Sequence, residues 1–426
     1  MTPDLRFVGT KFGVFASRDG GQHWQGLKAG MPTIAVRDLE IQRRESDPVG
    51  GTFGRGILIV DDYSLLRALT KQNAEKPAAI LPVKKALLYI PAAPLAGGEK
   101  AYQGASFYTA PNPPFGATIT YHLKEALKPT KAARREQEQK LERESRDVFY
   151  PGWDTLKAED REDPPAVILT IRNAAGQIVR RLAGPGAAGL HRIVWDLRWP
   201  NYLPVTGGET VRRGDDDEGF SGARSRPLAL PGKYTVVLEK CDEQGTPELV
   251  PPTAFEVEPL NFATLPPPDR EAVMAFARQT GELQRAALGT LEALNDGLSQ
   301  VANIKRIIDQ TPTLPLKLLQ DARSLELKLL DLREQFTGDP TKSRRNEPAQ
   351  VGLIDRIETI IGGHWSTTSA PTGSHRKNYE IAAAEFEAAL KNLHPLLDRN
   401  LPALHETLEA AGAPWAPGRK LPQWKP

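Results

Sequence analysis

A chain of 426 residues with 55 Lys+Arg against 53 Asp+Glu has a net charge of +2, too little to set up the long-range field that draws a protein onto nucleic acid or an anionic membrane. Its single cysteine, Cys241, excludes an intramolecular disulfide and a cysteine-rich zinc site, and no run approaches the roughly 18 apolar residues that a membrane span requires. The start Met1-Thr2-Pro3-Asp4-Leu5-Arg6 has neither the basic nor the apolar part of a signal peptide. The length suits two to four domains. The 37 prolines and 36 glycines predict a turn-rich β part beside a helical part, dividing near Pro266-Pro267-Pro268.

Residues 1–70 open with short strands and turns at Leu5 to Gly9, Gly13 to Ser17, Arg37 to Ile41, Val49 to Thr52 and Ile57 to Val60. Between the second and third lies Ser17-Arg18-Asp19-Gly20-Gly21-Gln22-His23-Trp24, with the spacing Ser-x-Asp-x-Gly-x-x-Trp. The pattern has a local purpose. Asp19 can accept backbone N–H groups across the turn, Gly21 permits positive φ, and Trp24 can plug the hairpin base. Ser17, Asp19, Gly21 and Trp24 are therefore expected to be structural. Downstream, Gly51-Thr52-Phe53-Gly54-Arg55-Gly56-Ile57 echoes Gly9-Thr10-Lys11-Phe12-Gly13-Val14, as two consecutive repeats would.

These two motifs resemble the end of a bacterial Asp-box (BNR) propeller of the sortilin-like or glycosyl hydrolase-like family. The resemblance implies a partial β-propeller of about one and a half blades, where a closed ring takes at least four. It also implies that Met1 falls inside a longer gene or that the member is truncated, and an extracytoplasmic setting. A blade and a half supplies no cleft for two facing carboxylates, so no catalytic residue is expected. Arg55, Asp61 and Asp62 remain, either bracing a loop and a strand end or contacting ligand at the rim of an intact propeller. The incomplete edge, with Phe7, Val14 and Ile59, predicts self-association.

Residues 71–101 read as a linker, and 102–260 as a β-sandwich. Its strands are expected around Phe107 to Ala110, Thr118 to Leu123, Ala166 to Arg172, Ile178 to Leu182, Leu190 to Arg198, Lys233 to Leu238 and Thr253 to Val257. Alternation places Trp195 inward, as core. The order Pro-Asn-Pro, strand, Asn173 turn, strand with Trp195-Asp196, then Pro231-Gly232-Lys233-Tyr234 resembles the immunoglobulin-like module of the flagellar hook-capping type. Such modules serve as spacers or binding units. Two polar insertions interrupt it. The first, at about 124–147, has interleaved charges that predict a solvated helix. The second, at 207–226, carries Asp215-Asp216-Asp217-Glu218, whose consecutive carboxylates do not match a calcium loop.

From 268 to 411 the apolar period becomes helical. Ala287, Leu291, Leu294, Leu298, Val301 and Ile308 mark a helix of about 40 residues, with Gly281, Gly289 and Gly297 as close-approach positions. Ala322 to Phe336 predicts a second helix stopped by Gly338, Val351 to Ile361 a third stopped by Gly362-Gly363, and Ser374 through Leu397 a fourth, kinked at Pro395 and ending near Pro402 or Ala411. An antiparallel helical bundle with a tail at 412–426 follows. His364, His375, His394 and His405 show no metal-ligand spacing and read as solvated or capping. No P-loop, nucleophile elbow or dinucleotide fingerprint occurs, so no cofactor or metal is expected. The combined reading is a multidomain β plus α chain acting as a non-catalytic scaffold that binds protein or glycan partners. The alternative is the accessory part of a glycoside hydrolase whose active site lies upstream.

Overall fold

The computed structural model describes residues 4–28, 30–91, 104, 106, 108–205, 226–243, 245–261 and 269–422. The acidic stretch Asp215 to Glu218 and the Pro266 to Pro268 boundary lie outside them. The chain is mixed β and α with a C-terminal helical region, and forms two compact units, Met1–Leu197 with Pro231–Leu260, and Arg198–Leu230 with Asn261–Pro426.

In the β unit, β1 (Arg6–Thr10), β2 (Gly13–Ser17) and β3 (Gln25–Gly26) form one antiparallel sheet, and β4 (Val36–Gln42), β5 (Asp47–Thr52) and β6 (Ile57–Ile59) another. The β1–β2 turn is set by Thr10, whose Oγ1 accepts from the Phe12 N–H at 3.0 Å and donates to the Gly13 carbonyl at 3.1 Å. Val36 is buried where the two sheets meet, and a Cβ on Gly9 would stand 3.0 Å from its side chain. Only a bare backbone allows that approach.

The larger core lies between two further sheets. One has the order β11 (Ile178–Gly184), β10 (Ala166–Asn173), β13 (Gly232–Cys241), β14 (Glu248–Pro259), β8 (Ala86–Leu88); the other runs β12 (Gly189–Trp195), β9 (Ala117–Leu123), β7 (Ala78–Ile80). Period-2 alternation puts Val167, Leu169 and Ile171 of β10 wholly inside. Trp195 is 0% exposed, its ring 5.1 Å from that of Tyr234 and 6.2 Å from that of Phe255. Tyr121 is buried too. Its hydroxyl donates to the Pro185 carbonyl at 2.7 Å, and burial pushes its pKa far up.

Two boundaries differ from expectation. Within the expected linker 71–101, the described residues 71–91 are not a plain linker. Helices α1 (Ser64–Ala68) and α2 (Lys71–Glu75) lead into β7 and β8; β8 pairs in parallel with β14, and β7 antiparallel with β9. The strand expected around Phe107 to Ala110 is absent from the described residues 108–114, and β7 takes the place beside β9. Runs of three residues with prolines nearby carry too little periodicity to be read as strands, and their partners are far along the chain. The first insertion is also larger than expected. It holds two helices, α3 (Thr130–Arg143) and α4 (Trp153–Arg161).

The helical unit is built on α5 (Arg270–Gln310), a 41-residue helix whose N-cap Asp269 accepts from the Ala272 N–H. It is followed by α6 (Lys317–Thr337), α7 (Pro340–Ser343), α8 (Leu353–His364) and α9 (Gly373–Pro395). The heptad residues Ala287, Leu294, Val301 and Ile308 bury against Leu329, Phe336, Ile357 and Phe386. Lys305, the polar interruption, pairs with Glu326 at 2.7 Å. Gly338, at φ +76°, ends α6.

Two expectations for this unit are corrected. Gly281 and Gly297 are close-approach positions, the first against the Tyr202 ring and the second with a Cβ only 2.7 Å from Leu397, but Gly289 faces open space. Gly362 and Gly363 lie inside α8, which ends one residue later at His364, and the bare Gly363 leaves room for His375 beside the helix. The expected irregularity at Pro395 is present: a π-helical turn, Leu396–Asn400, accommodates it, and α10 (Leu401–Ala410) carries the line to the expected end at Ala411.

Candidate functional site

Helices α3 and α4 form an arm between β9 and β10. Little apolar surface holds it together: α3 buries no residue, and the only buried residue of α4 is Glu159. Ion pairs brace it instead. Arg134 Nε and Nη2 donate to the two oxygens of Glu159 at 2.6 and 2.8 Å, Lys131 pairs with Asp160 at 2.6 Å, and Glu162 accepts from the Thr130 N–H and hydroxyl. These bidentate contacts fix direction as well as distance. The Arg134 guanidinium holds the Glu159 carboxyl below the usual carboxylate range.

The register of these pairs joins the start of α3 to the end of α4, so residues 144–152 lie at the far end of the arm. Phe149, Tyr150 and Trp153 stand there, 86%, 75% and 73% exposed. The Tyr150 and Trp153 rings are 6.2 Å apart with an interplanar angle of 69°. Their backbone is ordered locally. Pro151 keeps Tyr150 out of the helical region, and Gly152 is the N-cap of α4, its carbonyl accepting from the Leu156 N–H at 3.1 Å. Three large rings are thus exposed within five residues of one another, where singly scattered exposed apolar side chains are the rule. Sequence reading registered the charges of 134–144 but passed over Phe149-Tyr150-Pro151-Gly152-Trp153. An aromatic run bounded by Pro and Gly was the available signal.

The motif residues of the first segment lie elsewhere in the β unit. Ser17 Oγ donates to Asp19 Oδ1 at 2.7 Å and accepts from the Gly21 N–H at 2.8 Å. Asp19 accepts from the His23 N–H at 2.9 Å, and its second oxygen meets His23 Nδ1 at 2.7 Å. The His23 backbone N–H foremost, then Ser17 and the His23 ring, holds the Asp19 carboxyl well below its ordinary range. Trp24 does not fully plug the hairpin. It is 44% exposed, touching the turn beside Gly21, because β3 is only two residues long.

Arg55 is exposed in the β5–β6 turn, its N–H donating to Thr52 Oγ1. Asp61 is exposed after β6. Asp62, at φ +49°, accepts from the N–H and hydroxyl of Ser64 and donates its own N–H to Asp47. That is the work of a turn residue leading into α1. Among the described residues no hydrogen bond or ion pair joins Arg55 to either aspartate.

The helical unit contains a second polar region that the sequence did not reveal. The Arg278 guanidinium lies 4.3 Å from the Trp199 ring centre, Tyr202 packs into the notch at Gly281, and its ring is 6.0 Å from that of Trp365. His364, expected to be solvated or capping, is 2% exposed, with neither ring nitrogen hydrogen-bonded. Burial first, then His375 and Arg376, lowers its pKa to about 4. His375 is a cap: its Nδ1 accepts from the Thr372 N–H while its own N–H donates to Thr372 Oγ1. His394 contacts Asp398, and His405 contacts Gln300. Elsewhere in this unit a cavity of about 550 Å³ is lined by Asp331, Glu334, Asp339 and Lys342 over Phe336 and Leu353. Among the described residues no group of three or more His, Cys, Asp or Glu could hold a metal ion. No family model and no curated protein sequence matches this chain.

Proposed function

We propose that this chain is a non-catalytic interaction region of an extracytoplasmic Asp-box propeller protein. Residues 4–60 would then be the end of the propeller, the two-sheet core an immunoglobulin-like module, and 269–410 a helical tail. The observation that carries this reading is the aromatic tip of the α3–α4 arm. An ion-paired stalk presents Phe149, Tyr150 and Trp153 to solvent, and none of them contributes to the core of its own unit. Exposed Tyr and Trp offer large contact areas at a small entropy cost. The Asp-box hydrogen bonds support a structural role for the first segment. Its exposed Phe53, Ile57 and Ile59 support self-association there as a secondary contact.

The test is retention of the purified chain on an isolated bacterial cell-envelope fraction. The wild-type chain is expected to be retained, and the triple variant Phe149→Ser, Tyr150→Ser, Trp153→Ser to be washed off with its melting temperature unchanged. Equal retention of the two would overturn the reading. So would hydrolysis of aryl glycosides that a single Asp61→Asn or Asp62→Asn change abolished.

A further inference from the structure

The β4–β5–β6 sheet ends at β6, which pairs with β5 and, among the described residues, with no second strand. Its register shows which backbone groups face outward. The Thr52 N–H donates to the Gly56 carbonyl at 3.0 Å and the Val60 N–H to the Pro48 carbonyl at 3.0 Å. Alternation then makes Gly50 and Leu58 the bonded pair between them. The intervening residues Ile57 and Ile59 turn their N–H and C=O groups to the open edge, and their side chains are 71% and 59% exposed. The strand Ile57–Ile59 holds neither the proline nor the lysine that commonly guards such an edge.

Charge says which strand fits there. Arg55 precedes β6 and Asp61 follows it, both exposed, and among the described residues neither side chain has an ion-pair partner. A strand laid antiparallel on β6 must offer an acid beside Arg55, a base beside Asp61 and apolar side chains between. β6 itself, run in reverse, does so. A two-fold axis at Leu58 sets Ile57 of each copy opposite Ile59 of the other and Arg55 of each beside Asp61 of the other. It makes the two Leu58 residues a non-hydrogen-bonded pair and the Ile57–Ile59 pairs hydrogen-bonded ones, in keeping with the outward direction of those backbone groups. A parallel second copy would instead set Arg55 on Arg55 and Asp61 on Asp61.

We propose that a second copy of this chain docks on the β6 edge, antiparallel about a two-fold axis at Leu58, joining two three-stranded sheets into one. The proposal rests on the self-association reading above and fixes its partner strand and register. So short a strand buries less than the roughly 1,200 Å² of stable complexes, so the dimer is weak and concentration-dependent.

Sedimentation equilibrium of the full chain over a concentration series tests it. The wild type should dimerise and go no further, because the pairing consumes the edge. Arg55→Glu and Asp61→Arg should each weaken the dimer about ten-fold with unchanged melting, since both cross-strand pairs then carry like charges. Mixed in equal amounts, the two variants should associate as the wild type does, because in the mixed dimer each end again meets its opposite charge. On oxidation, Leu58→Cys should form a disulfide between position 58 of two copies, identified by peptide mass, with the wild type and its lone Cys241 as control. A chain that is monomeric at every concentration overturns this proposal and the self-association reading together. If the chain associates but grows past a dimer, ignores both charge variants, is not restored by mixing, or is cross-linked faster by Ile57→Cys than by Leu58→Cys, the β6 pairing falls and self-association stands. None of these outcomes bears on the aromatic tip, which envelope retention tests separately.

Discussion

The two units differ in how much of their assembly shows along the chain. In the helical unit each helix carries a heptad stripe legible in its own sequence, whether the partner is as near as Leu329 or as far as Phe386. In the β unit, β7 and β8 at residues 78–88 pair with strands beginning at 117 and 248. The difference teaches where boundaries can be drawn. A helical stripe shows its ends through caps and glycines, whereas a strand's membership in a sheet depends on partners that the local sequence does not name.

The largest expected effect exploits that contrast. A chain beginning at residue 101 lacks β7 and β8 and the buried Leu81, Ala86 and Leu88, leaving β9 and β14 with unpaired edges. It should lose the cooperative melting of the β unit, while a chain beginning at residue 71 retains it. Calorimetry on both separates them, and equal melting would show that these strands are dispensable.

Within the helical unit, the glycines of α5 give a paired test. Gly281→Ala drives a Cβ into the Tyr202 ring and should destabilise by about 1–3 kcal/mol. Gly289→Ala meets nothing within 4 Å and should stabilise by up to about 1 kcal/mol. Denaturant titration reads both. Opposite signs at two glycines eight residues apart would confirm that packing, not helix propensity, keeps Gly281.

A smaller effect concerns pH. The His364 ring has its pKa lowered from 6.5 to about 4 in the folded chain, so the unfolded state binds the proton first as pH falls. Stability from this group is complete above about pH 6.5 and is lost as the pH approaches 4. His364→Phe should remove that dependence, leaving a flatter stability profile between pH 4 and 7 in thermal melts.

The smallest global effect is expected in the arm. Glu159→Gln breaks the Arg134 clamp, and because the arm contributes so little apolar burial, the main transitions should not move. Hydrogen exchange over residues 130–161 should instead accelerate. In the wild type the same loosening is expected on acidification, because a carboxylate with a depressed folded pKa stabilises above its unfolded value, 4.5, and loses that contribution as pH falls through the folded one. Unchanged exchange would mean that the helices stand without the ion pairs.

By itself the sequence determined whatever is decided within a few residues or by a long repeat. The Asp19 turn chemistry follows from side chains within the seven residues from Ser17 to His23, the inward Trp195 from alternation along one strand, and the long helix ending in Gln310 from a heptad stripe broken only at Lys305. The arm's charges were legible as a solvated helix, but not its aromatic tip, because exposure of Phe149, Tyr150 and Trp153 depends on how α3 and α4 are clamped. Tertiary structure alone decided that 78–80 and 86–88 are strands, that Gly281 receives Tyr202 while Gly289 receives nothing, and that His364 is buried without a hydrogen-bond partner. Each depends on a segment distant in sequence arriving against it, and a residue's own neighbours along the chain carry no record of that arrival.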